Sequence, residues 1–357
     1  MKQPLTDEER RALTDPAALG GKPLQLTDRL VADIEIPALA LERAALRDVD
    51  FEGVELKGTR FSTARLERVS FVRCAMDGVS FEKSALSEWS MEDMILRDVR
   101  FQGCQLERGR TTRVESEKLA LDDCVVGQLE DDHGEYRGLS FRRVKVVAPA
   151  WKRTRIEGGR IEDTTVEGGK LEGVSLTETP VHGLGLRGIE LRNVDFLYGE
   201  VSGLDVEAAR GGPLGFLELK CRGLHVKASD FSILSLGSVE LVGAVVEDCH
   251  DLRLFTLAHS QVEGLRVVRC GLQGTSFRES RVFGKSELEA CIIAGLDLEG
   301  TRVEGLALRR STIDGPVTAP KAAFSGLELE EVRYGPGYRL LDQGATYEKG
   351  SRFPAKP

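Results

Sequence analysis

The chain has 357 residues, 58 acidic against 49 basic, and a formal net charge of −9. That balance argues against nonspecific nucleic-acid binding and against docking on an anionic membrane, both of which need a basic face. Hydrophobic residues make up 41% of the chain but aromatics only 6%, so the expected core is filled mainly by aliphatic side chains.

The N-terminal segment, 1–30, lacks the apolar run of a secretory signal. Nowhere does the chain approach the ~18 consecutive apolar residues that cross a bilayer. A cytoplasmic location is the expectation, with no membrane contact; a secretion route without a cleaved signal stays open. Thr6-Asp7-Glu8-Glu9 predicts a capping box ahead of a short helix to Leu13. Asp15-Pro16 predicts the start of another helical turn. The segment reads as a partly helical cap outside the repeat that follows.

From Ile36 every fifth residue is apolar: Leu41, Leu46, Phe51, Leu56, Phe61, Leu66, Phe71, Met76, Phe81, and onward to Val246. Only Thr111, Ser116, Asp131 and Gly211 break the rule among the 43 positions, where composition alone would place about 18 apolar residues. A period of five is neither that of a helix nor that of a simple strand. A second set, two residues earlier, is small or β-branched: Ala44, Val49, Val54, Thr59, Ala64, Val69, with Leu39 and Trp89 as bulkier exceptions. A third set, two residues later, is rich in glycine: Gly53, Gly58, Gly78, Gly103, Gly158. Together they describe a short extended segment with two inward side chains, at i and i−2. A corner follows, where glycine adopts unusual dihedrals cheaply.

Runs such as Ala44-Ala45-Leu46-Arg47-Asp48, Val49-Asp50-Phe51-Glu52-Gly53 and Val54-Glu55-Leu56-Lys57-Gly58 resemble the pentapeptide-repeat protein family. The resemblance covers roughly residues 31–334. It implies an all-β fold, a right-handed parallel (quadrilateral) β-helix solenoid of about 15 coils with four pentapeptides per coil. Stacked strands ~4.8 Å apart would make a rod roughly 70 Å long. Valine often stands where the family has alanine at i−2, which implies an expanded or irregular coil.

Sorting the inward centres by coil gives faces of distinct character. Leu46, Leu66, Leu86, Leu106, Val126 and Val146 form an aliphatic one. Leu41, Phe61, Phe81, Phe101, Leu121 and Phe141 predict a phenylalanine ladder. Phe51, Phe71, Met91, Thr111, Asp131 and Gly211 share the least regular face. After Val246 the pattern slips to Leu252, then to Leu288, then to Phe324, predicting single-residue bulges near 247–251, 283–287 and 314–319. Two stretches, 108–118 and 128–135, lose the pattern; each reads either as a simple irregularity of the coil or as an excursion of about five residues that keeps the register, and such a loop would be a candidate binding element. Residues 335–357, with Gly335-Pro336-Gly337 and Phe353-Pro354-Ala355-Lys356-Pro357, read as a strap over the end or a tail.

Chemical candidates are sparse. Cys74, Cys104, Cys124, Cys270 and Cys291 fall at i−2 and Cys221 at i, all reading as small buried residues, while Cys249 sits inside a slip. Cys104 and Cys124 should stack one coil apart, though a reducing cytoplasm disfavours a disulfide. The histidines at 133, 182, 225, 250 and 259 show no ligand spacing. Glu130-Asp131-Asp132-His133 is a possible cation loop but reads better as a solvated acidic one. Gly20-Gly21-Lys22 lacks the spacing of a phosphate loop. No residue is assigned a catalytic, cofactor-binding or metal role, and no cofactor is expected.

The expected function is therefore non-catalytic: a rigid interaction or structural scaffold that binds partner proteins, with a bacterial assembly or secretion system as the setting that the resemblance suggests. The resemblance implies an alternative, a DNA mimic that modulates a type II topoisomerase. A mimic needs acidic stripes, and the outward series Lys57, Asp77, Arg97, Glu117, Arg137, Glu157 instead alternates in sign, as neighbouring-coil ion pairs would. The chain also lacks an obvious C-terminal dimerising helix. A β-helix enzyme is a third and weaker reading, because acidic pairs occur everywhere and none is singled out as acid and base.

Overall fold

A computed structural model describes residues 2–15, 17–348 and 350–355. The chain divides into two compact units, Met1–Pro180 and Val181–Pro357. Each is a parallel β-solenoid. In the first, the rungs Leu26, Leu46, Leu66, Leu86, Leu106, Val126, Val146 and Val166 pair one above another. In the second, Leu186, Val206, Val226, Val246, Val267, Leu288, Leu308 and Leu329 do the same. Eight rungs in each unit give about 16 turns.

The sequence pattern explains each rung. Residues i and i−2 point inward along a short strand, so Val49, Phe51, Val54 and Leu56 are all buried. Residue i+2 then takes a positive φ, near 54° at Arg43 and Asp48 and 63° at Gly53. Glycine is thus not required at the corners; other residues, many of them charged, occupy most of them. Their left-handed backbone is offset by the ladder, since each corner N–H donates to the next coil, as Arg43 does to the Ser62 carbonyl at 2.8 Å. Valine at i−2 does not disturb the coil: Val49 pairs with Val69 in the regular 20-residue register.

Pairing extends past both boundaries read from the sequence. Leu26 and Val31 already occupy inward positions and pair with Leu46 and Phe51. Ahead of them, Thr6 caps the helix Asp7–Thr14 and the reciprocal bond from the Thr6 N–H to Glu9 completes the capping box. Leu13 is buried, and Glu9 also binds Arg29 of the strand Gln25–Ala32. The further helical turn expected at Asp15-Pro16 involves Pro16, which lies outside the described residues.

The three bulges fall where the slips predict them. The first is at His250–Asp251, whose N–H groups both donate to the Asp230 carboxylate one coil earlier, at 3.1 and 3.0 Å. The second lies between Phe283 and Ser286. The third lies between Ile313, paired with Ile293, and Val317, paired with Leu296. A further insertion at Gly335–Gly337 leaves Val317 paired with Leu340 and Phe324 with Tyr347, so 335–347 continues the solenoid. Only the last described residues act as a strap. Ser351 accepts from the Leu327 N–H at 3.3 Å, Phe353 is fully buried against Phe324, and the Tyr338 hydroxyl donates to the Pro354 carbonyl. Lys356 and Pro357 lie outside the described residues.

Candidate functional site

Of the two readings of the irregular stretches, the structure shows irregularity within the coil and no excursion. Arg110–Glu117 is one strand, paired in register with Ser90–Arg97, and Glu130–Asp132 and Glu135–Arg137 follow it without displacement. The irregularity lies in the side chains. Thr111 and Asp131 stay at inward positions, so a carboxyl enters the core of the first unit, where Asp131 is 2% exposed.

Three hydroxyls surround that carboxyl. Asp131 Oδ1 accepts from Thr111 Oγ1 at 2.5 Å and from Tyr136 Oη at 2.7 Å, and Oδ2 accepts from Thr154 Oγ1 at 2.5 Å. Space for the cluster comes from Gly134, where a Cβ would lie 2.4 Å from the Tyr136 ring and 2.6 Å from Asp131 Oδ2. Gly109 likewise leaves room for Trp89, whose indole would lie 2.3 Å from a Cβ there. Burial pushes the Asp131 carboxyl above the usual carboxylate range, although the hydroxyls of Thr111, Thr154 and Tyr136 pull the other way. Burial, and then the neighbouring Asp131 charge, pushes the Tyr136 phenol well up. Beside the cluster is a cavity of about 70 Å³, walled by Trp89, Met91, Phe101, Phe141, Trp151 and their neighbours. The carboxyl is enclosed by these walls, so its chemistry is that of a satisfied polar centre rather than of an exposed acid or base.

The suspected cation motif does not converge. Asp131 points inward, Glu130 pairs with Arg110 at 2.8 Å, and Asp132 pairs with Arg153 at 2.7 Å. Among the described residues no group of three or more His, Cys, Asp or Glu side chains could hold a metal ion. All seven cysteines are buried thiols, Cys249 included, and Cys104 and Cys124 stack as expected. Sequence reasoning missed what the i−2 position does. Its hydroxyl or thiol accepts the N–H of the equivalent residue one coil earlier: Cys74 from Val54, Ser84 from Ala64, Ser229 from Ala209, Ser311 from Cys291. It also missed His225, which stacking places 3.2 Å from both Asp205 and Glu247.

Outside, the corners carry Asp–Arg pairs one coil apart: Asp48–Arg68, Asp93–Arg113, Asp123–Arg143 and, across the first bulge, Asp248–Arg269, each at 2.6 Å. Arginine bonding holds all four carboxyls below their ordinary range. Charge alternates by coil as the outward series suggests, though Lys57 turns to Glu35 and Glu55. One face of the second unit departs from this. Leu197, Leu217, Gly237 and Ala258 stack along it, beside the column that runs from Asp195 through Gly215 and Ser235 to Thr256, and beside the pair Ile233–Leu254. Leu217 and Leu254 are 38% and 39% exposed.

Residues 44–124 match the family model for the pentapeptide repeat region. That stretch is a run of pentapeptide repeats. The same inward pairs and left-handed corners continue on both sides of it. Solved structures with some likeness include HetL, a pentapeptide repeat protein involved in heterocyst differentiation regulation from the cyanobacterium Nostoc sp. strain PCC 7120. It is 13% identical over 54% of this chain and 89% of its own, with a TM-score of 0.25. A trypsin-treated variant of QnrB1, a plasmid-mediated fluoroquinolone resistance protein, is 12% identical over 51% of this chain and 90% of its own, with a TM-score of 0.31. A mannuronic acid specific family 6 polysaccharide lyase from human gut microbiota is 7% identical over 87% and 86%, with a TM-score of 0.27. At these TM-scores the three carry no argument about function. No curated protein matches the sequence.

Proposed function

We propose that this pentapeptide-repeat chain is a non-catalytic scaffold that binds a partner protein. The observation behind this reading is how its charged groups are used. The carboxyl most displaced from solvent, Asp131, is enclosed in the core, and the outer acids and bases are tied to each other coil by coil. What such a surface offers a partner is shape: rigid, flat, hydrogen-bonded faces. The Leu217–Leu254 face is the proposed contact, because uncharged side chains lose little on desolvation. The alternation of Asp and Arg weighs against the continuous acidic stripe that a DNA mimic requires.

Capture of partners from the native cell tests this, comparing the wild type with Leu217→Asp combined with Leu254→Asp, and with charge reversal at Asp93 and Arg113. The proposal expects the leucine variant to lose a specific partner and the charge-reversed one to keep it. Retention by both variants would refute the contact; a reproducible turnover of any substrate would refute the non-catalytic reading.

A further inference from the structure

The face of the second unit that carries Leu217 and Leu254 is built differently from its neighbours. Ile233–Gly237 and Leu254–Ala258 are five-residue strands, and neither Ile233 nor Leu254 has a positive φ, whereas Asn193, two coils before Ile233, is a left-handed corner at 52°. Without that corner each strand presents three outward residues, so three columns cross four successive coils. Glycine then flattens the face. A Cβ at Gly237 would lie 3.2 Å from Leu217 Cδ1, and one at Gly215 2.3 Å from Asp195 Oδ1, so both side chains lie down along the coil axis over the next rung. Asp195 is the one charged residue in the three columns. Burial holds its carboxyl above the ordinary range, and no basic group offsets that.

Resting on the reading of this face as the contact surface, we propose that its occupant is a second copy of the chain, packed face to face with the two coil axes antiparallel. A two-fold axis running along the strands, between the Leu217 and Gly237 rungs, lays each column on itself in reverse order, as an isologous interface requires. Leu197 then meets Ala258 of the other copy. Leu217, which leans over Gly237, meets its own counterpart at the axis. The centre of the contact is thus apolar, as the core of an interface is. Asp195 meets the Ser235 and Thr256 hydroxyls of the other copy, which can donate to a carboxylate as it loses water. Turning the axis by a right angle, along the coil axis, would instead lay Asp195 on its own counterpart, two like charges with no cation between them. The charge therefore selects the antiparallel arrangement. Five residues at ~3.3 Å and four rungs at ~4.8 Å give a flat area of roughly 300 Å² per copy. That is well under the ~800 Å² per partner of a stable complex, so the association is weak and concentration-dependent.

Analytical ultracentrifugation of the full chain between about 1 μM and about 1 mM tests this. The average mass should rise toward twice that of one chain over the range. Gly237→Arg and Ala258→Arg, both outward on the face, should each keep the chain monomeric. Val242→Arg, outward on the next face of the Gly237 coil, should dimerise as the wild type does. Two face variants are used so that a folding defect in one, read from its circular dichroism, leaves the other to decide. Asp195→Asn should leave the dissociation constant within about threefold of the wild type, and a larger gain in affinity would mean that Asp195 faces itself and that the antiparallel arrangement is wrong. A chain that stays monomeric throughout the range would overturn the proposal. So would dimers that Gly237→Arg and Ala258→Arg leave intact or that Val242→Arg abolishes. Failure here is distinct from failure of the contact reading, since a monomeric chain that captures a different protein through Leu217 and Leu254 keeps the face as a docking surface with another occupant.

Discussion

The rings of Phe81 and Phe101 lie face to face, centroids 4.6 Å apart and planes 3° from parallel, although the residues are one full coil apart in sequence. Phe61 stacks on the other side of Phe81 at 4.7 Å. Aromatic rings held at the strand spacing make a continuous column, so each ring contributes to two coils at once.

Removing the middle ring should therefore be expensive. Phe81→Ala is expected to lower stability by ~3–5 kcal/mol. Glu82, the next residue, faces outward to Arg60, and Glu82→Ala should lower stability by well under ~1 kcal/mol. Denaturant titration of the two variants checks both; similar losses would mean that the inward register is misplaced.

Asp131 predicts a pH dependence with a definite sign. Its folded-state carboxyl is raised by burial above the ~3.9 of an unfolded chain, so folding favours the protonated form. Such a group contributes stability that is fully present below the unfolded value and lost as pH rises through the folded one. The stability of Asp131→Asn relative to the wild type should therefore increase as pH is raised from about 4 toward 8. The difference between the two proteins is the quantity to follow, because Asp48, Asp93, Asp123 and Asp248, lowered by their arginines, shift both proteins in the opposite direction. A difference that stays flat across that range would remove Asp131 as the titrating group.

Gly134 is predicted to be indispensable to the same cluster. A methyl group there would overlap the Tyr136 ring and the Asp131 carboxyl. Overpacking of this kind costs about 1–3 kcal/mol. Calorimetry of Gly134→Ala against Gly295→Ala separates crowding from the general loss of a glycine, since a Cβ at Gly295 meets only the Gln273 carbonyl, at 3.9 Å. Neither glycine has a positive φ, so backbone strain does not enter, and equal losses at both sites would argue against crowding at Asp131.

The C-terminal strap should control self-association. Phe353 is fully buried against Phe324, and Ser351 takes the N–H of Leu327. Ending the chain after Gly350 should uncover apolar side chains at the open end of the second unit and favour end-to-end assembly. Light scattering on sized fractions checks this, and a truncated chain that remains at the wild-type mass would show that the strap does not protect that end.

Much of this architecture was legible because the repeat makes one spacing decide three things: which side chains go in, which stack, and where an extra residue must bulge. The phenylalanine ladder and the three bulges follow from that arithmetic. Legibility failed where a polar side chain kept an apolar position. Thr111 and Asp131 looked like the loss of the strand because a lone buried carboxyl is unfavourable; the partners that stabilise it, Tyr136 and Thr154, are 5 and 23 residues away and satisfy it only after coiling. The ends were misread for a related reason. Leu26 and Val31 keep the register beside a polar capping segment, and the insertion at Gly335–Gly337 hides a further rung.

Cysteine pairs on the outer surface test the stacking register most directly, since the seven native thiols are all buried. In the first unit Ser62 lies opposite Glu82, and in the second, beyond the first bulge, Val242 lies opposite Glu263. Adjacent strands bring paired Cα atoms within the ~4.4–6.8 Å that a disulfide spans. Ser62→Cys with Glu82→Cys, and Val242→Cys with Glu263→Cys, should each crosslink rapidly under mild oxidation. Ser62→Cys with Lys83→Cys, and Val242→Cys with Val262→Cys, should not. Crosslinking of the displaced pairs in preference to the matched ones would contradict the register on which the fold, the Asp131 cluster and both bounding caps depend.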